Sequence, residues 1–452
     1  MPGGTRFFSV TRFFPLLVTL FAFWGCNGCQ SKAPAPAAPA AKAPPPAVAP
    51  PPFPVMLGID VLEAEGFTAV KGKRIGLLTH PAGVNRRGVP TVEVLRHAPG
   101  VKLVALYAVE HGIYNDMPAE KYFPDMTDKR TGLPVFSLYN GKTKNFRPTP
   151  AQLKPIDALV IDLQDIGTRS YTFSGAMKTA MEACFEAGKE VIVLDRPNPL
   201  GGWKVDGPPL DPDAMTDVGK FRVPYVHGLT IGELANMVRH ALPPGGLAIS
   251  EKARASGKLT VIPMHGWTRS MRWPETGLTW VPTSTLIQDF AAVEGYPMTG
   301  LGCILGSFRH GIGKQYPFRG IKHLATKDDV VEKELRALNL SGLQFRRVSV
   351  PSEKNGEPTT GLYTEITDYD AWEPTALNFY LMKLACKLEP KNPFAAASAA
   401  ERRTFIIHVG SAAFFADLAA KGKNIDIDAW LRTWREQAKV YQEQSKKFWL
   451  YH

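Results

Sequence analysis

The chain has 452 residues, of which 44% are hydrophobic and 21% charged, with a formal net charge of +11. That composition is globular, and the length allows two domains or more, so a core can form without a disulfide framework. A basic balance suits an acidic polymer, an anionic lipid or an acidic cell-wall glycan, but no Lys/Arg run or aromatic-interleaved basic stripe is present, which argues against a nucleic-acid partner.

The first twelve residues, MPGGTRFFSVTR, carry two arginines and no acid, and the apolar run FFPLLVTLFAFWG leads directly to Cys26. These are the n- and h-regions of a secretory signal, short for a transmembrane span. A cysteine right after Gly25 resembles a bacterial lipobox, although Phe23 stands where Leu is usual; an ordinary signal peptide cleaved nearby is the alternative. Residues 31–54 are almost only Pro and Ala, a composition that buries no core and tends to extended polyproline II. We therefore expect a signal peptide over 1–25, an acylated Cys26, a disordered tether over 26–54 and a folded body from Val55. The expected location is the bacterial cell envelope, on a membrane through the lipid anchor, facing the periplasm or the cell exterior.

Within the body, RIGLLT (74–79), KLVALYAV (102–109), PVFSL (134–138), DALVIDL (157–163), EVIVLDR (190–196) and KLTVIPM (258–264) are short apolar runs of the kind that form buried strands. Between the fourth and fifth, Met177, Ala180, Met181, Cys184 and Phe185 recur at helical spacing before Gly188. Strands alternating with helices predict an α/β fold with a parallel sheet. HPAGVN, not GxGxxG, follows the first strand, which argues against a dinucleotide site. Thr230 and Glu233 form a capping box, and Trp430, Leu431, Trp434, Ala438 and Tyr441 mark a terminal helix. Apart from Cys26 and Cys29 no cysteine pair has zinc-like spacing, and the scattered His and Asp suggest no ligand set, so neither a metal nor an organic cofactor is expected.

In ALYAVEHGIYND (105–116) a strand that reads as buried ends on Glu110 and His111, two residues costly to bury alone. Open parallel sheets bind ligands outside the carboxyl ends of their strands. Other strands end in polar groups too: Thr79 and His80; Asp162, Gln164, Asp165, Arg169 and Tyr171; Asp195, Arg196 and Asn198. Singly, each has a structural alternative: Asp195 and Arg196 could pair or cap, and Asp162 could hold a loop. Together they predict a polar cleft at one end of the sheet.

GIDVLEAEG, RIGLLTHPAGVN, VEHG, LQDIGTRSYTF, LDRPNPLGG, VDGPPLD, HGLTIGELA, ETGLTWVP, GLYTEITD and the terminal FWLYH, in this order over about residues 57–452, resemble the NamZ-type exo-β-N-acetylmuramidases. The resemblance implies a Rossmann-like N-terminal domain (55–262), a smaller α+β C-terminal domain (263–452) and an active-site cleft between them. It implies release of N-acetylmuramic acid from non-reducing ends of peptidoglycan or muropeptide fragments, with the glutamate of the Glu-His-Gly motif, here Glu110, as the catalytic residue. Glycoside cleavage needs a proton donor and charge stabilisation at the anomeric carbon, and desolvation at the rim of an apolar strand would suit a glutamic acid to the first task. Asp162, Asp165 or Asp195 could supply a second carboxylate, with Asp165 placed in the catalytic set. His111 could orient Glu110 or be tied to backbone beside the turn at Gly112. Arg169 and Arg196 are candidates for the lactyl carboxylate of muramic acid. Asp162, Gln164, Tyr171, Asp195, Asn198 and His227 complete the expected sugar-binding set.

The chain also departs from the family pattern. Leu305 and His310 stand about where two late glutamates are usual, Leu286 and His80 where asparagines are, and Val226 where arginine is common. Either the substrate or leaving-group side differs, or the protein is a catalytically impaired peptidoglycan-binding or scaffold lipoprotein.

Overall fold

The apolar runs do form strands. In a computed structural model, which describes residues 55–452 apart from 118–120, 140–145, 244 and 352–357, they are β1 (Arg74–Thr79), β2 (Lys102–Ala108), β4 (Pro134–Ser137), β5 (Ala158–Asp162), β6 (Glu190–Leu194) and β7 (Leu259–Ile262), with a short β3 (Met126–Thr127) between β2 and β4. Cys26 and the leader and tether around it lie outside the described residues. The sheet order is β3-β4-β2-β1-β5-β6-β7, parallel throughout except that β3 runs antiparallel to β4.

Side chains alternate across the pleat, so each strand feeds two cores. Leu78, Tyr107, Leu159, Ile161, Val191 and Val193 enter one; Ile75, Leu77, Leu106, Val160, Ile192 and Leu194 enter the other. This burial on both faces explains why the runs are continuously apolar rather than alternating. Gly76 has a specific reason: a Cβ there would lie 2.5 Å from the buried Tyr107 ring. The helix Thr172–Glu186 crosses from β5 to β6 and ends before Gly188, whose φ of 65° lies in the left-handed region. The capping box forms as expected, with Thr230 Oγ1 accepting from Glu233 N–H and the Glu233 carboxylate from Thr230 N–H, opening the helix Ile231–His240.

The chain leaves β1 outward to β2 and β4, then restarts beside β1 at β5 and runs outward the other way. The strand order thus reverses between β1 and β5, where a crevice opens at the carboxyl ends.

The expected second, smaller α+β region follows. Strands β8 (Phe308–His310), β9 (Gly320–His323), β10 (Leu343–Val350) and β11 (Thr359–Ile366) make an antiparallel sheet in the order β10-β11-β9-β8. Val331 and Leu335 of the helix Asp328–Ala337 pack on it with Phe345, Leu362 and Trp372. The terminal helix Ile427–Ser445 buries Leu431, Trp434 and Ala438, with Trp430 and Tyr441 half-buried beside them. The tail then returns to the first sheet. Tyr451 stacks edge-on against Trp267, accepts from Met264 N–H at 2.8 Å and donates to Asp195 at 2.6 Å.

Candidate active site

β2 ends one residue before Val109, and the chain turns at once. His111 has φ 72° and Gly112 φ 77°. Such a conformation costs a non-glycine residue on the order of 1 kcal/mol or more and persists only where its surroundings fix it. Here they do: Gly112 N–H donates to Val109 O at 3.1 Å, Met117 N–H to His111 O at 3.3 Å, and His111 Nδ1 lies 3.3 Å from Met117 O. His111 is therefore tied to backbone, and the turn leaves Glu110 half-buried at the rim of the sheet. The costly ending of the strand places a carboxyl group at the carboxyl-end edge of the sheet.

The polar residues expected at this edge separate into two groups. In the first, bonding capacity is spent within the fold, Arg169 Nε apart. Asp162, with no exposure, takes Arg196 Nε on one oxygen and Arg196 Nη2 (2.9 Å) and Thr91 Oγ1 on the other. Arg196 Nη2 also donates to Val84 O at 2.6 Å. Asp195 accepts from Thr230 Oγ1, Gly232 N–H, Arg196 N–H and Tyr451 OH, and so ties the helix Ile231–His240 and the chain terminus to β6. Asn198 shapes a turn through Leu200 N–H and Leu229 O. Arg169 differs most from its expected role. Its Nη1 donates to Pro208 O and Val223 O and its Nη2 to Val409 O, each at 2.8 Å, with His408 O at 3.4 Å. Both Nη atoms brace carbonyls contributed by distant loops, and Nε alone is left unpaired, so no two-pronged face remains for a ligand carboxylate. Asp162 and Asp195 likewise offer no vacant oxygen to a sugar.

In the second group, buried polar atoms are left unpaired. Gln164 N–H donates to His80 Nε2 at 2.9 Å, which puts the His80 proton on Nδ1, and Nδ1 has no partner. Burial, with the charges of Arg196 and His111, holds His80 well below the ordinary histidine range, so the ring is a neutral donor. The Gln164 amide donates to Asp165 O and Pro197 O, leaving Oε1 unpaired. Asp165 Oδ2 accepts from Gly167 N–H at 2.8 Å, while Oδ1 is unpaired. His227 accepts Leu229 N–H on Nδ1, so its proton is on Nε2, which stands 3.3 Å from Asp165 Oδ2 without being aligned for a hydrogen bond. Thr168 Oγ1 is unpaired as well. Buried polar groups are nearly always satisfied in native proteins, by protein or by ordered water, so this concentration at one sheet edge leaves capacity for a polar ligand or for water.

The second region contributes a wall of rings. Tyr296, on the helix Phe290–Thr299, lies 3.2 Å from Ser170 Oγ through its hydroxyl and packs edge-on against Tyr171, whose own hydroxyl donates to Thr283 at 2.6 Å. Burial raises the Tyr296 pKa against the Ser170 bond, and the charges of Asp165 and Glu110 raise it further. Tyr296 is thus within electrostatic reach of both carboxylates. It escaped the sequence reading, since a lone tyrosine in FAAVEGYPMT carries no pattern that marks a site. Phe318 packs on Tyr296, and His310 stacks on Phe318 at 4.3 Å with rings 5° apart. Burial pushes the His310 pKa down, so the position where a glutamate was expected carries a neutral ring. Leu305 packs against the main core, and Leu286 is 51% exposed.

Comparison with known proteins gives a consistent result. The exo-β-N-acetylmuramidase NamZ family matches in two parts, its N-terminal domain over residues 75–291 and its C-terminal domain over residues 294–451. The peptidoglycan β-N-acetylmuramidase NamZ of Bacillus subtilis (strain 168) is 37% identical over 384 residues, which cover 83% of this chain and 87% of that protein. A crystal structure of a DUF1343 family protein from Bacteroides fragilis NCTC 9343 superimposes with a TM-score of 0.78 at 34% identity, covering 89% of this chain and all of that one. A second DUF1343 structure from the same organism gives a TM-score of 0.65 at 25% identity over 88% of this chain and 99% of that one.

Proposed function

Because the chain belongs to the NamZ exo-β-N-acetylmuramidase family, we propose that it is an exo-acting glycosidase that releases N-acetylmuramic acid from non-reducing ends of peptidoglycan fragments, with Glu110 as general acid. The observation that carries this reading is the set of unpaired polar atoms on His80, Gln164, Asp165 and Thr168 beside a half-buried Glu110. A sugar, with hydroxyls that both donate and accept, would satisfy them together.

In this reading Glu110 gives its proton to the glycosidic oxygen as the bond to the anomeric carbon breaks, and positive charge grows on the ring. Of the three aspartates considered as a partner, Asp165 alone keeps an unpaired oxygen, so it is assigned to stabilise that charge. His111 holds the turn that aims Glu110. His80 keeps the chemistry of the asparagine usual in the family: like an amide, it accepts Gln164 N–H with one atom and presents a neutral N–H with another. Leu305 and a neutral His310 stacked on Phe318 stand where the late carboxylates are usual, which points to a changed leaving-group side. That same replacement favours the second reading, a peptidoglycan-binding protein without turnover.

The test is Glu110→Gln, assayed on a natural muramyl disaccharide and on a nitrophenyl muramide. General acid catalysis contributes about 10²–10⁴-fold, so cleavage of the disaccharide should fall by about that factor. The loss should be smaller for nitrophenol, which leaves with little protonation. Wild-type rates on both substrates would remove Glu110 from the mechanism. A wild-type protein that binds muramic acid glycosides but cleaves none would leave the binding reading.

A further inference from the structure

A cavity of about 250 Å³ opens at the reversal point between β1 and β5. Its walls come from the loop after β1, from Gln164 and Arg196 beyond β5 and β6, and from the segment Trp273–Val281. It is smaller than the ~300–1,000 Å³ of pockets that enclose drug-sized ligands, so it suits one sugar ring or a substituent rather than a disaccharide.

The charge of the lining is one-sided. Three guanidiniums, Arg86, Arg87 and Arg196, contribute to it, and no carboxylate does. Arg196 is paired with Asp162 and Arg87 with Glu63. The Arg86 side chain forms no ion pair or hydrogen bond among the described residues; its backbone N–H donates to Asp60, whose carboxylate feels the charges of both Arg86 and Arg196. One guanidinium of the lining is thus unpaired, and the other two are held by carboxylates.

The buried part of the lining is unsatisfied. Asn85, 1% exposed, accepts Arg87 N–H and Val89 N–H on Oδ1, each at 3.0 Å, which fixes its amide and leaves Nδ2 unpaired. Trp273 Nε1 is unpaired, and so is Gln164 Oε1. The unpaired atoms of Asn85, Trp273 and Gln164 are closed off from the cavity in this structure, so the group that the lining offers directly is the Arg86 guanidinium, and with no carboxylate in the lining it suits a carboxylate.

We infer that this cavity receives the lactyl carboxylate of the terminal muramyl residue, with Arg86 as its cation. The inference rests on the proposed function and replaces Arg169 in the role of carboxylate receptor. Gln164 connects the two places, since its backbone N–H fixes His80 while its side chain lines the cavity.

Calorimetry with N-acetylmuramic acid and N-acetylglucosamine tests it, on the full chain and on Arg86→Gln and Trp273→Phe. Arg86 is exposed, and phenylalanine retains a ring against Trp280, so both variants should fold. The wild type should prefer muramic acid by about tenfold or more, the yield of a charge-assisted bond. Arg86→Gln should erase most of that preference with affinity for N-acetylglucosamine unchanged, whereas Trp273→Phe, at a wall residue whose Nε1 does not open into the cavity, should leave the preference in place. Equal wild-type affinity for the two sugars, or an undiminished preference in Arg86→Gln, would overturn the inference. Turnover of muramyl glycosides by the wild type reports separately on the enzymatic reading: turnover without an Arg86-dependent preference removes only the cavity assignment. An Arg86-dependent preference without turnover removes only the enzyme.

Discussion

The ends of β5 and β6 look alike in sequence, each an aspartate at or just past an apolar run with polar neighbours, yet they do different work. Beyond β6, Asp195 accepts from two hydroxyls and two backbone N–H groups, and Arg196 is fastened to Asp162. Beyond β5, Asp165 keeps one oxygen unpaired, and the neighbouring Gln164 and His80 each keep a polar atom unpaired. Charge at a strand end therefore does not tell the two apart. Unspent hydrogen-bonding capacity does, and a buried unpaired polar atom costs stability that a ligand or a water restores.

The comparison can be strained first on its saturated side. Arg196→Leu should strand the carboxylate of Asp162 at zero exposure, and breaking a buried pair from one side costs about 3–5 kcal/mol. Urea denaturation should show a midpoint lowered accordingly; stability equal to the wild type would mean that the saturated half is not structural after all.

A smaller effect sharpens the unsaturated side. His80 is held neutral by burial first, with Arg196 and His111 adding to it, whereas in the unfolded chain it titrates near 6.5. Below that pH the unfolded state binds a proton that the folded state refuses, so stability contributed here is complete above about pH 6.5 and declines as pH falls. His80→Asn keeps the acceptor and donor and removes the titration. The slope of stability against pH below 6.5 should flatten by at most about 1.4 kcal/mol per pH unit. An unchanged slope, measured by denaturation at pH 5, 6 and 7, would mean that His80 takes up a proton in the folded state.

Much of the first sheet was legible because parallel strands covered on both faces must be apolar along their whole length; RIGLLT matches β1 residue for residue. The second sheet was not. In β10, LQFRRVSV, the buried positions are Phe345, Val348 and Val350, which follow neither strict alternation nor a continuous run. In the proposed site, the positions of Glu110 beyond β2 and Asp165 beyond β5 could be read from the strand ends alone. The role of Arg169 could not, because the carbonyls it braces lie as far as 240 positions along the chain. Tyr296 was invisible for the same reason: it reaches the carboxylates only through packing of the second region on the first.

The central claim is that the unsaturated half of the edge is the active site, and Asp165→Asn tests it most directly. The amide oxygen can keep the Gly167 N–H bond, so the fold should persist with a melting temperature close to that of the wild type. Release of N-acetylmuramic acid from a muramyl disaccharide should fall about 100-fold or more, the scale on which removing one electrostatic stabiliser of a transition state is felt. A variant that melts like the wild type and releases the sugar at the wild-type rate would contradict the account.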